Sequence, residues 1–147
     1  MNIIPKAEVI RRLNMIYAKV PSFDCKHCLQ CSNPIWWFKP EEINIRDYLK
    51  QHHMDYLTFS FEEFKRNQMK CPYLQANRCT IYPVRPLVCR LQGTIKELPC
   101  PNIKKPLLTE TQYKKIIQEL NMLTKDLDGL EEYFGTRKKE NSNFISI

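Results

Sequence analysis

The sequence predicts a small, mainly α-helical domain with irregular cysteine-rich metal-binding loops. Three observations carry that expectation. Apolar residues recur at helical spacing near both ends of the chain. The seven cysteines fall into only two groups, within 25–31 and 71–100. Residues 70–106 hold six prolines and four cysteines, too many turn-formers for a regular element. With 147 residues and 43% hydrophobic content, the chain fits one domain with a core of its own. The expected layout is a single metal-binding domain over residues 1–135, with a cysteine core at 24–101. A mobile tail is expected at 136–147.

The first helix is expected from Pro5 to about Val20. Val9, Leu13, Ile16, Tyr17 and Val20 share one face at helical spacing. Pro5 suits a first turn, where its missing N–H costs nothing, and Pro21 stops the helix. A loop with the first cysteine group follows. Pro40 opens a second helix, PEEINIRDYLKQHH, with Glu41 and Glu42 near the positive end of its dipole. A third starts at Ser60, where Ser60 and Glu63 make a capping box and Phe59 and Phe64 a hydrophobic staple; it should end near Gln68. Residues 70–106 should be irregular, with one short helical turn at Leu87 to Leu91 and an extended piece at Thr80 to Tyr82.

The last helix, over residues 109–134, has the clearest pattern. Thr109 and Gln112 form a second capping box. Ile116, Leu120, Leu123, Leu127, Leu130 and Phe134 then recur in a heptad-type stripe. Gly129 weakens the helix and Gly135 suits its left-handed end. The stripe is expected to pack on the domain's own core rather than in a dimeric coiled coil.

Several function classes are excluded. The N-terminal residues lack a signal-peptide pattern, and no run of about 18 apolar residues could span a membrane, so a cytoplasmic location is expected. Three glycines cannot build a phosphate-cradling loop. No Ser-His-Asp or Cys-His catalytic set can be assigned. His52 and His53 end a helix, where a cation is favoured. His27 reads as a solvated loop histidine rather than a ligand.

The cysteines therefore need another explanation. A reducing compartment disfavours disulfides, and an odd count cannot pair within one chain. Cys25, Cys28 and Cys31 form CKHCLQC, in which two-residue spacers turn three sulfurs toward one ion. Zinc wants four ligands and a cubane has four irons, so a fourth sulfur must come from Cys71, Cys79, Cys89 or Cys100. Stiff proline loops lose less entropy on closing round a metal. Two features lean toward iron and sulfur. Cys71–Pro72 and Cys100–Pro101 match the Cys-Pro ending of bacterial ferredoxin motifs. Trp36, Trp37 and Phe38 offer an aromatic wall to keep water off a cluster, although plain core packing explains them equally well.

The formal net charge is +7. Residues 70–105 carry seven basic residues against Glu97 alone. Metal-bound cysteines are thiolates, so this excess reads as compensation for sulfur charge rather than as a nucleic-acid patch. Arg85 and Arg90 are the expected cofactor-binding residues. They would offset thiolate charge or donate to sulfur or to backbone carbonyls. Arg78 is expected to share that role, with a surface ion pair a stronger alternative for it than for the other two.

The long pattern CPYL, then CTIYPVRPLVCR, then a later Cys-Pro, preceded by C-x2-C-x2-C, resembles the cysteine-cluster family described as zinc- or iron-chelating. It is sometimes called the YkgJ type and includes flagellin lysine N-methylases. The resemblance covers residues 24–101. It implies that Cys71, Cys79, Cys89 and Cys100 are ligands and that Arg85, Pro86 and Arg90 belong to the motif. Two departures stand out. Ser32 takes the place of the family's adjacent second cysteine, and Leu29 and Gln30 fill a spacer in which the family often has glycine. Eight ligands would serve two four-cysteine sites; seven leave one site incomplete, or form a single cluster.

The leading expectation is an iron–sulfur protein with a [4Fe-4S] cluster. It would transfer electrons or bear the cluster within a larger complex. A zinc-stabilised protein-interaction module, with Zn2+ in place of the cluster, is the alternative. A methyltransferase-related accessory protein is implied by the family's methylases only. The expected partner is a protein with an acidic patch, not a specific nucleic acid and not a membrane.

Overall fold

The computed structural model describes residues 4–22, 37–57, 60–66, 70–76 and 78–127. The chain is mainly α-helical, as its sequence predicts, with one two-stranded sheet among the described residues.

Helix α1 runs over Lys6–Tyr17, with Pro5 as its N-cap in extended conformation. It stops earlier than Pro21 requires. Lys19 N–H and Val20 N–H bond the carbonyls of Ile16 and Tyr17, tightening the last turn. Helix α2 spans Lys39–Gln51, with Glu41 and Glu42 in its first turn. Helix α3 covers Phe61–Arg66. Its capping box is present: Ser60 N–H donates to Glu63 Oε1 and Glu63 N–H to Ser60 Oγ, both at 3.2 Å. Phe59 and the Phe64 side chain, which would form the staple, lie outside the described residues.

The extended piece lies earlier than the sequence suggests. Strands β1 (Leu74–Gln75) and β2 (Arg78–Cys79) form an antiparallel hairpin pairing Leu74 with Cys79. Thr80 already turns, its N–H bonding Tyr73 O at 2.9 Å. Pro83 then sits in a 3-10 turn over Tyr82–Val84, where a fixed φ and a missing donor suit a tight turn better than a strand. Helix α4 occupies Leu87–Leu91, as expected. Helix α5 covers Glu110–Asp126, capped as expected by Thr109 and Gln112. Thr109 N–H donates to Gln112 Oε1 at 2.9 Å and Gln112 N–H to Thr109 Oγ1 at 3.2 Å. Gly129, Leu130, Phe134 and Gly135 lie outside the described residues.

Helices α1, α2 and α5 pack against one another. The larger core joins Leu13, Ile16 and Tyr17 of α1 to Leu87 and Leu91 of α4 and to Ile116, Leu120 and Leu123 of α5. A second cluster gathers Ile45 and Leu49 of α2 with Tyr73, Ile81 and Val84. Val9, Ile43 and Leu127 close a third. The α5 stripe is thus spent on the domain's own core, from Ile116 through Leu127. It does not form an external helical surface over these residues.

Candidate metal centre

The second cysteine group is positioned by the hairpin and by α4. Cys71 precedes β1, Cys79 closes β2, and Cys89 sits in α4. All three are free thiols in partly buried residues. Cys71 and Cys79 pack against the second apolar cluster, beside Trp37, Tyr56 and Tyr73. The rings touch: Trp37 meets Tyr56 edge-on at 6.4 Å and Tyr73 at 6.5 Å between centroids. Both cysteines thus border the one apolar cluster that carries these rings. Trp36 lies outside the described residues.

The local turns aim amides at sulfur. Tyr73 N–H donates to Cys71 Sγ at 3.4 Å. The Cys-Pro-Tyr-Leu sequence makes this possible, because buried Pro72 sets the turn and Tyr73 anchors it. Tyr73 is fully buried, and its hydroxyl accepts the Leu57 N–H at 2.7 Å. Burial pushes the Cys71 thiol up to about 12; the Tyr73 and Leu74 amides pull the other way, and the Cys79 charge adds to the rise. Cys79 is raised by burial, against the Ile81 amide and the Arg85 charge. Cys89 is raised well above the ordinary thiol value by burial, then by the charges of Cys71, Cys79 and Glu41, with Arg85 opposing.

These mutual effects place Cys71, Cys79 and Cys89 in one electrostatic neighbourhood. As three anions they repel, and a divalent cation converts that repulsion into attraction. Among the described residues, no three His, Cys, Asp or Glu side chains close up into a metal-holding set by themselves. Cys100 follows α4. It lines a small cavity of about 180 Å³ with Gly93, Lys96, Pro99, Ile103 and Lys104. Cys25, Cys28, Cys31 and His27 lie outside the described residues.

Arg85 and Arg90 take different roles. Arg85 stacks its guanidinium 3.8 Å from the Tyr82 ring centroid. Among the described residues its Nε is buried with no hydrogen-bond partner. A buried donor left open costs about 1–3 kcal/mol, and its charge acts on Cys79 and Cys89. This suits a thiolate-bound group, whose sulfurs accept such donors. Arg90 instead binds the loop. Its Nε donates to Arg85 O at 2.8 Å and an Nη to Pro83 O at 3.1 Å, and the guanidinium lies 3.9 Å from the Tyr17 ring centroid. The backbone-carbonyl role foreseen for these arginines is thus the one Arg90 plays.

Sequence reasoning missed Glu41. The sequence placed it only near the positive end of a helix dipole, yet it is 1% exposed. Its Oε2 accepts the Tyr17 hydroxyl at 2.5 Å and the Leu87 N–H, and its Oε1 accepts the Phe38 N–H at 3.1 Å. Burial raises the carboxyl to about 7, against the pull of the three donors and of Arg90. Its spacing held the signal. Glu41 precedes buried Ile45 by four residues and so shares the inward face of α2.

The donor set therefore fits zinc or iron: soft thiols, amides turned toward sulfur, and the half-buried Arg85 acting on them. No curated protein and no solved structure matches the chain. The family model CxxCxxCC, described as "Putative zinc- or iron-chelating domain", matches residues 24–118. That span holds both cysteine groups, the hairpin, α4 and the first half of α5, and by it the chain belongs to the CxxCxxCC family of zinc- or iron-chelating domains.

Proposed function

We propose that the chelated group is an iron–sulfur cluster of the [4Fe-4S] type, and that the protein transfers electrons or carries the cluster within a larger complex. The observation that carries this reading is the aromatic wall. Trp37, Tyr56 and Tyr73 pack in the same apolar cluster as Cys71 and Cys79. Excluding water from the sulfurs is one of the levers that set a cluster's potential, whereas a structural zinc has no potential to set. A [4Fe-4S] cluster takes four cysteines, drawn from Cys25, Cys28 and Cys31 of the first group and from Cys71, Cys79 and Cys89 of the second, and Cys100 stands outside that set. Arg85 offsets sulfur charge. A bound cluster supplies one-electron redox chemistry, and the chain's own residues hold it, keep it dry and balance its charge.

The basic excess over residues 70–105 suits a protein partner with an acidic patch. Electron-transfer contacts are small and charge-steered. The amide-to-sulfur turn at Cys71 serves a zinc ion as well, which keeps a zinc-stabilised interaction module as the second reading. Anaerobic purification with metal and acid-labile sulfide analysis separates the two. The cluster reading predicts brown protein with about four iron and about four sulfide per chain. Colourless protein with zinc and no sulfide overturns it.

A further inference from the structure

The polar hub beneath α4 has no role in a plain helical core. Glu41 of α2 is buried at 1% exposure with Tyr17 of α1 at 5%. A carboxyl group is costly to bury, and nothing about packing α1 on α2 requires one there. Its contacts converge on one place. One oxygen accepts both the Tyr17 hydroxyl and the Leu87 N–H; the other accepts the Phe38 N–H. Leu87 opens α4, and Cys89 lies two residues further on. The other side of that short helix is held by Arg90, which stacks on the same Tyr17 ring and bonds the carbonyls of Arg85 and Pro83. The segment Pro83 to Arg90 is thus fixed at both ends against one Tyr17–Glu41 pair.

A five-residue helix cannot hold its own position. Cys89 must nevertheless present its sulfur to the neighbourhood of Cys71 and Cys79, which belong to the hairpin. We propose that Glu41, with Tyr17, is a positioning residue for the metal ligand Cys89, anchoring the Leu87 backbone so that α4 delivers the sulfur to the site. This rests on the metal-binding reading and extends it to residues outside the cysteine motif. It asks nothing about whether the group is zinc or iron. Glu41 touches neither metal nor sulfur; it positions Cys89 through the Leu87 N–H, and its charge is also felt at Cys89.

The test uses the full chain, reduced and metal-free, titrated anaerobically with Co2+ alone as a probe. Sulfur-to-cobalt charge-transfer absorbance reports the ligands, and competition with a chelator gives affinity. Glu41→Gln keeps the shape but gives up one acceptor oxygen. It is expected to bind Co2+ about 10- to 100-fold more weakly, the usual cost of losing an outer support, with an altered charge-transfer spectrum per bound ion. Leu127→Ala loosens the third apolar cluster, which holds neither Tyr17 nor Leu87, and should leave that spectrum unchanged. Tyr17→Phe covers the case in which Glu41→Gln fails to fold; loss of one hydrogen bond should weaken Co2+ binding about fivefold. Wild-type affinity and spectrum in both Glu41→Gln and Tyr17→Phe overturn the proposal and leave the metal reading standing. A wild-type chain that binds no Co2+ overturns the metal reading, and the proposal with it.

Discussion

The helical layer and the cysteine loops are built on different principles. In the helical layer, α1 and α5 bring Leu13, Ile16, Leu120 and Leu123 together along elements of 12 and 17 residues. Each helix is long enough to present an apolar face, and burial does the work. Salt bridges such as Arg12–Asp126 at 2.8 Å lie at the surface and add little. The loops have strands of two residues, a 3-10 turn of three and a helix of five. None of these stands alone. They are held by polar pins at Glu41, Tyr73 and Arg90 and by Leu87 and Leu91 in the larger core, and as thiolates their cysteines would repel one another without a cation. One region is sufficient in itself, whereas the other is shaped for a bound metal.

The two regions should part most sharply at Cys89, the proposed ligand on α4. Cys89→Ala should abolish metal retention through purification as completely as Cys28→Ala does, read by metal analysis. If Cys89→Ala retained full stoichiometry, the loops would not share a site with the first group. Next in size is the helical core. Leu120 is fully buried, so Leu120→Ala should cost about 2–5 kcal/mol in chemical denaturation of metal-free protein. Leu120 shares the larger core with Leu87 and Leu91 of α4 but with no cysteine, so the metal-to-protein ratio of the folded fraction should not change. A lost metal site would mean that the two regions are not separable.

A third prediction concerns pH. The Glu41 carboxyl titrates near 4.5 when unfolded and is raised to about 7 in the fold, chiefly by burial. Below the lower value both states hold the proton. Between the two values only the folded state does, so unfolding releases a proton and stability falls as pH rises, levelling off above about 7. The loss is on the order of 3 kcal/mol. Metal-free wild type should therefore lose stability relative to Glu41→Gln between pH 4.5 and 7, measured by urea denaturation at each pH. Parallel profiles would contradict the burial of a titrating carboxyl.

The smallest effect is at the hairpin. Ala76 adopts φ 50°, the left-handed region that costs a residue with a Cβ. Ala76→Gly should stabilise the protein by about 0.5 kcal/mol, since the relief is partly offset by the greater freedom of the unfolded chain. A destabilised Ala76→Gly protein would mean that the turn is not strained.

The sequence made the helical layer and the ligand loop legible for different reasons. Capping boxes at Ser60 and Thr109 and the stripe from Ile116 to Leu127 are local signals, and local rules read them. The short helix at Leu87 was readable because Pro86 fixes its start. The hairpin was not. Its strands are too short for alternation to register, and Ala76 is no typical turn residue. The hub was hidden as well, because it joins Tyr17, Glu41 and Leu87 across 70 residues of chain, roughly half its length. The cysteines announced the chemistry, whereas Tyr17 and Glu41 of the hub lie outside the motif.

The central claim is that metal holds the cysteine loops while the helical layer holds itself. Structural metal contributes on the order of 10 kcal/mol or more, so its removal should be visible residue by residue. Hydrogen–deuterium exchange of the full chain, metal-loaded and metal-free, reads this directly. The account predicts that amides across residues 70–106 lose protection without metal while those of Lys6–Tyr17 and Glu110–Asp126 keep theirs. Equal protection of residues 70–106 in both forms would contradict it.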